Sequence, residues 1–143
     1  MRKPGDPSTM SAQTNGADGA GPHFSRTTAA CVFDYADSLL RLGGDAELFN
    51  DIADIFLEDA PKYLAEASRT LTTGDAATLE RAAHTLKGLS ANFAAAAAVE
   101  AAYAVELLAR EHRLEGAARC FPRLEAEVQR LETALREFRR QGH

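Results

Sequence analysis

Tryptophan is absent from the 143 residues, and tyrosine and phenylalanine together total ten. Valine and isoleucine are sparse, so the residue types that favour pleated strands are in short supply. Cysteine occurs only as Cys31 and Cys120. Two cysteines far apart in sequence exclude a disulfide framework and an all-cysteine zinc site, and point to the reducing cytosol. Long apolar runs are missing too. The longest, Phe93 to Val99, is far too short to cross a bilayer. No charged-then-apolar leader opens the sequence, so no signal peptide is expected. Basic excess is lacking, with a net charge of −5, which argues against a general nucleic-acid binder. Histidine is scarce, at positions 23, 84, 112 and 143. If the chain does chemistry, one of these four is the first suspect.

What remains is alanine, 29 of the 143 residues, in a chain that is 45% hydrophobic and 26% charged. Such a composition suits a helical globular domain. Residues 1–28 are rich in Gly, Pro, Ser and Thr, with almost no large apolar side chains. They predict a disordered N-terminal tail, since nothing there offsets the entropy of ordering. Residues 29–140 predict one helical domain. Asp34 should cap a short helix from Tyr35 to Arg41, stopped by Gly43-Gly44. Asp45 should cap a long helix whose apolar positions, Leu48, Phe49, Ile52, Ile55, Phe56, Tyr63, Leu64, Ala67 and Leu71, recur every three or four residues. Pro61 falls inside that run and predicts a kink. Gly74-Asp75 should end this helix and cap the next, from Ala76 to Phe93. Two more follow, Ala95 to His112 and Glu115 to Phe138. The last carries a seam of Ala117, Phe121, Leu124, Val128, Leu131, Leu135 and Phe138. Pro122, in its first turns, predicts a kink or a later effective start. Connections of two to five residues make sequential helices antiparallel neighbours. The expected fold is all-α, an antiparallel four-helix bundle with a short extra N-terminal helix.

Charge is unevenly spread. Residues 34–66 hold nine acids and two bases, whereas residues 75–143 hold ten of each. Arginine is concentrated late, at 110, 113, 119, 123, 130, 136, 139 and 140. Solvated helix faces account for this. An asymmetric field that orients a partner is the functional reading.

On a helical wheel with His84 at zero, Leu79, Ala82, Leu86, Leu89 and Phe93 gather roughly opposite, with Ala83 and Ser90 at the margin. That is the buried stripe, so His84 faces out. A lone histidine on a helix is usually an idle surface group or a satisfied core one, and the wheel excludes the core. Its neighbours are unusual. Gly88 lies one turn on, Ala77 and Ala91 two turns to either side, and Arg81 and Lys87 flank it. Mid-helix glycine costs about 1 kcal/mol relative to alanine. In a helix this rich in alanine that choice implies close approach of another molecule. Two cations should keep the imidazole neutral and nucleophilic, then stabilise an incoming phosphoryl group. Hydrolysis is disfavoured, since no carboxylate or metal site that would activate water is evident. His23 falls in the tail, His112 at a helix C-terminus and His143 at the chain end. No HxxxH, CxxC or carboxylate–histidine grouping suggests a metal.

The stretch Ala83-His84-Thr85-Leu86-Lys87-Gly88-Leu89-Ser90-Ala91-Asn92-Phe93 resembles the active helix of histidine-containing phosphotransfer (HPt) domains. The likeness extends to Leu42-Gly43-Gly44-Asp45, Phe56-Leu57-Glu58-Asp59-Ala60-Pro61, Gly74-Asp75 and Glu106-Leu107-Leu108-Ala109-Arg110, and covers residues 32–138. It implies a phosphocarrier of two-component phosphorelays, not a stand-alone enzyme. By it, His84 takes a phosphoryl group on Nε2 from the aspartyl phosphate of a hybrid sensor kinase's receiver domain. It then passes the group to the aspartate of a response regulator's receiver. Lys87 would stabilise the phosphoryl group and Gly88 would clear space for the receiver. Mg²⁺ would belong to the receiver, leaving this chain with no cofactor of its own and no metal. Arg81, Ala91, Asn92 and Arg110 are further candidates for the phosphate and partner surface. A cytoplasmic monomer that binds neither nucleic acid nor membrane is expected. Where the family has a Gly-Ala turn after the histidine helix, this chain has Ala94-Ala95, so that helix should end differently or run on by a turn. The rival reading is a helical adaptor that binds a receiver or kinase without carrying phosphate. A kinase dimerisation helix pair would need an ATP-binding domain, for which 143 residues leave no room.

Overall fold

The computed structural model describes residues 32–142. The expected tail over 1–28, the domain start at Ala29, Cys31, His23 and His143 lie outside them. Among the described residues the chain builds five complete helices: α1 (Tyr35–Arg41), α2 (Ala46–Thr73), α3 (Ala76–Ala91), α4 (Ala96–Arg110) and α5 (Leu114–Arg140). Aspartates start the first three. Asp34, Asp45 and Asp75 each accept a backbone N–H from the residue three further on, satisfying a donor the helix leaves open. The Asp75 carboxyl is held below the usual carboxylate range by the Thr78 hydroxyl and the Thr78 N–H.

Pro61 and Pro122, the two prolines among the described residues, lie inside continuous helices. Pro61 interrupts neither end of α2, and α5 begins at Leu114 and runs through Pro122, so Pro122 does not mark its start. Packing of the apolar face outweighs one lost backbone bond at each site. The boundaries of α3 and α4 are tighter than periodicity predicts, because Ala94 and His112 both take left-handed φ, +51° and +59°. After α4 the His112 N–H donates to Ala109 and the Arg113 N–H to Leu108. After α3 the same pair of bonds runs from Ala94 to Ala91 and from Ala95 to Ser90. Such paired bonds close a helix, and the left-handed residue is usually glycine. Ala94 thus adopts the conformation a glycine would take, at a steric cost. Ala94→Gly should therefore raise unfolding free energy by about 1 kcal/mol, read as a higher urea midpoint at unchanged slope.

Helix α3 packs most extensively on α4, α4 on α5 and α2 on α3; the α2–α5 seam is slighter and the α3–α5 diagonal slightest. This is the antiparallel four-helix bundle, with α1 laid against one end. The core holds Phe49, Phe56, Leu79, Leu86, Phe93, Val105, Leu124, Val128, Leu131 and Leu135, all fully buried. Phe93 stands edge-on to both Phe49 and Phe56, with ring centroids 5.5 Å apart in each pair. Above it, the Asp34 N–H donates to the Phe93 carbonyl at 3.0 Å, and the Ser38 hydroxyl donates to the Asn92 carbonyl. The end of α3 is thereby tied to α1 and α2.

One buried acid is only partly compensated. Glu132 of α5 faces the α2 seam, and its Oε2 has no hydrogen-bond partner. Burial pushes its carboxyl above the ordinary glutamate value, with Arg136 opposing only in part. A carboxyl raised on folding contributes stability that is complete below its unfolded pKa and is lost as pH climbs through its folded one. Glu132→Gln should therefore be about 1 kcal/mol more stable than the wild type at pH 8 and converge with it near pH 4. Urea unfolding across that range checks the sign.

Candidate functional site

The wheel predicted for α3 is realised. Leu79, Ala82, Ala83, Leu86, Ser90 and Phe93 are buried and Leu89 is half-buried. His84 points away from them with 66% of its side chain exposed. Gly88, one turn on, is also exposed, and among the described residues a Cβ built there would meet no neighbouring group within 4 Å. The fold therefore does not require glycine at this position.

The electrostatics differ from the expectation. An uncompensated pair of cations does not flank the imidazole. Instead a carboxylate lies beneath it. Glu106 projects from α4, only 2% exposed, and its Oε2 sits 3.0 Å from His84 Nδ1. The same oxygen accepts from Arg110 Nη2 at 2.7 Å, and Lys87 Nζ stands 2.9 Å from Oε1. Burial alone would raise the Glu106 carboxyl. The contacts with Lys87 and His84 outweigh burial and hold it below its ordinary value. It is therefore ionised at neutral pH and can only accept, so Nδ1 must be the donor. In the neutral ring the proton then resides on Nδ1, and the Nε2 lone pair is the one left open.

A second tier of contacts steadies the first. Arg110 Nε donates to Glu80 Oε2 at 2.9 Å, so α3 and α4 are joined by a chain from Glu80 through Arg110 and Glu106 to His84. Lys87 Nζ also lies 4.7 Å above the Tyr103 ring, a cation–π contact that fixes its direction. Burying Glu106 carries a desolvation penalty, and three cationic or N–H partners on two oxygens are what offsets it.

Of the residues singled out from sequence, His84, Lys87, Gly88 and Arg110 come together here. Arg81 does not: its Nη2 donates to Thr78 Oγ1 at 3.1 Å, toward the start of α3. Ala91 and Asn92 are half-buried near the end of α3, where the Asn92 backbone carbonyl serves the α1 contact. Glu106, Glu80 and Tyr103 were not identified as site residues. A signal existed for Glu106. It lies on the buried face of α4 with Ala98, Ala102, Val105 and Ala109, and a charge on such a face needs partners. The absence of a nearby carboxylate, inferred from sequence, is likewise corrected. Glu106 is nevertheless no base for water, being buried and already engaged by three partners. Among the described residues no group of three or more His, Cys, Asp and Glu side chains could hold a metal ion. No described helix is long and apolar enough to cross a membrane.

The model of a protein family described as Hpt domain matches residues 51–134. Among solved structures, the chain is similar to histidine-containing phosphotransfer protein B from Pseudomonas aeruginosa PAO1. The TM-score is 0.71 at 22% identity, over 78% of this chain and 97% of that one. It is also similar to the HPT domain of a sensor hybrid histidine kinase from Shewanella, with a TM-score of 0.70 at 17% identity, over 78% and 96% of the two chains. These likenesses show the fold. No curated protein matches the sequence.

Proposed function

This chain belongs to the Hpt-domain family, whose role is histidine phosphotransfer in phosphorelays, and on that premise we propose that His84 is its phosphoryl carrier. The observation that carries the assignment is the bond from Nδ1 to the ionised Glu106 carboxylate. It leaves the Nε2 lone pair as the nucleophile on an exposed ring. Nε2 would attack the phosphorus of a receiver's aspartyl phosphate, and the receiving aspartate of a second receiver would later displace it. The chain acts as a carrier and not as a stand-alone enzyme. Mg²⁺ and the acid cluster for the transfer belong to the receivers.

Lys87 would stabilise the phosphoryl oxygens, and Gly88 would leave room for the receiver's surface. The docking face extends from α3 onto the adjoining shoulder of α2, where Leu48 and Ile55 are exposed. Exposed apolar side chains of this kind suit brief contacts that exclude water and then release. The partners are the receiver domains of a hybrid sensor kinase and a response regulator, met by a cytoplasmic monomer. The test uses a receiver charged with radiolabelled phosphate. Mixed with the full chain, it should lose label to this protein as an acid-labile, base-stable adduct. A binding interaction without label transfer would establish the adaptor instead.

A further inference from the structure

We propose that Glu106 keeps the proton on Nδ1 of His84 after Nε2 has been phosphorylated, and so governs how readily the phosphoryl group leaves. This rests on His84 being the carrier. When Nε2 attacks, the N–P bond forms as the bond from phosphorus to the aspartate oxygen breaks, and the aspartate leaves with that electron pair. The ring still holds its Nδ1 proton and becomes cationic. In the return step the N–P bond breaks and its electron pair goes back to Nε2. With the Nδ1 proton in place the leaving group is neutral imidazole; without it the leaving group is imidazolate, a far stronger base. Loss of the phosphoryl group to water obeys the same condition.

The carboxylate is built to hold that proton. Oε2 lies 3.0 Å from Nδ1, is withdrawn from solvent, and is fixed by Arg110, which Glu80 fixes in turn. The charged and titratable groups facing the ring are Glu80, Arg81 and Lys87 from α3 and Tyr103, Glu106 and Arg110 from α4. The same stretch of α2 carries Asp59, Lys62, Tyr63, Glu66 and Arg69, none bonded to the ring among the described residues; Lys62 is paired with Asp59 and Arg69 with Glu66. The cations oppose retention of the proton. Lys87 and Arg110, however, are in contact with Glu106, and Arg81 is turned toward Thr78. The nearest charge to Nδ1 is negative, and nearness decides the balance.

The full chain, phosphorylated with the small donor phosphoramidate, would be followed as it loses phosphate across pH 5 to 10. Phosphorus NMR would report the rate, and nitrogen-15 spectra of labelled histidine the Nδ1 proton. The rate should be flat while Nδ1 is protonated and fall above that range. In Glu106→Gln the falling limb should move down by about one pH unit, so that loss near pH 8 is about tenfold slower. Lys87→Met removes an opposing cation and the Oε1 partner of Glu106 while leaving the Oε2–Nδ1 and Oε2–Arg110 contacts in place, and should move the limb up. It also keeps the question open to test if Glu106→Gln does not fold. Superimposed wild-type and Glu106→Gln profiles, or a downward shift in Lys87→Met, would overturn the proposal. Failure of the wild type to take acid-labile phosphate from either phosphoramidate or a charged receiver would instead overturn the carrier assignment.

Discussion

His84→Gln should accept no acid-labile phosphate from a charged receiver, while its unfolding free energy stays within about 1 kcal/mol of the wild type. The loss is complete because the side-chain amide has no lone-pair nitrogen comparable to Nε2. The fold is spared because the imidazole is mostly solvent-exposed and touches no part of the core. Glu106 would keep Lys87 and Arg110, and the glutamine amide can still donate toward Oε2. Radiolabel transfer paired with urea unfolding separates chemistry from folding. Wild-type labelling of the variant would place the carrier elsewhere. His112, the other described histidine, stands in the turn after α4 without the carboxylate, so it is a poor substitute.

Gly88→Leu should slow transfer from a receiver about 10²-fold, the scale on which a displacement near 1 Å acts on a reacting pair. Its effect on stability should have the opposite sign, a gain of about 1 kcal/mol, because leucine is a far better helix former. Among the described residues no neighbouring group lies within 4 Å of a Cβ added at this position. Any cost must then fall on the incoming partner. Transfer from phosphoramidate, a donor too small to be obstructed, should be nearly unchanged. Equal slowing with both donors would mean that the substitution disturbs the imidazole itself and would refute the access argument.

Much of this was legible in the amino-acid order because it depends on neighbours along one helix. The aspartates at 34, 45 and 75 cap helices by reaching three residues ahead. The wheel of α3 places His84 outside by angular spacing alone. Periodicity cannot fix how far one antiparallel helix slides along another. That slide, set by the turn over residues 92–95 and by the Phe93 contacts, brings Glu106 beneath His84. Arg81 shows the converse: its angle on the wheel was right, but a nearby hydroxyl captured its guanidinium. Ala94 shows a third limit. A Cβ makes left-handed φ costly, yet paired backbone bonds and the packing around Phe93 hold it there.

The pairing of α3 with α4 is the most extensive in the bundle, and the seam between α2 and α5 on the far side is slighter. Breathing motions should therefore concentrate behind the histidine and leave its surroundings still, giving slow amide exchange along α3 and α4 and faster exchange across the opposite seam. A molecule organised in this way works like a fixed post between moving couriers. With His84 as the proposed carrier, donor and acceptor would meet the same rigid shape, and adjustment at each handover would fall to the receivers.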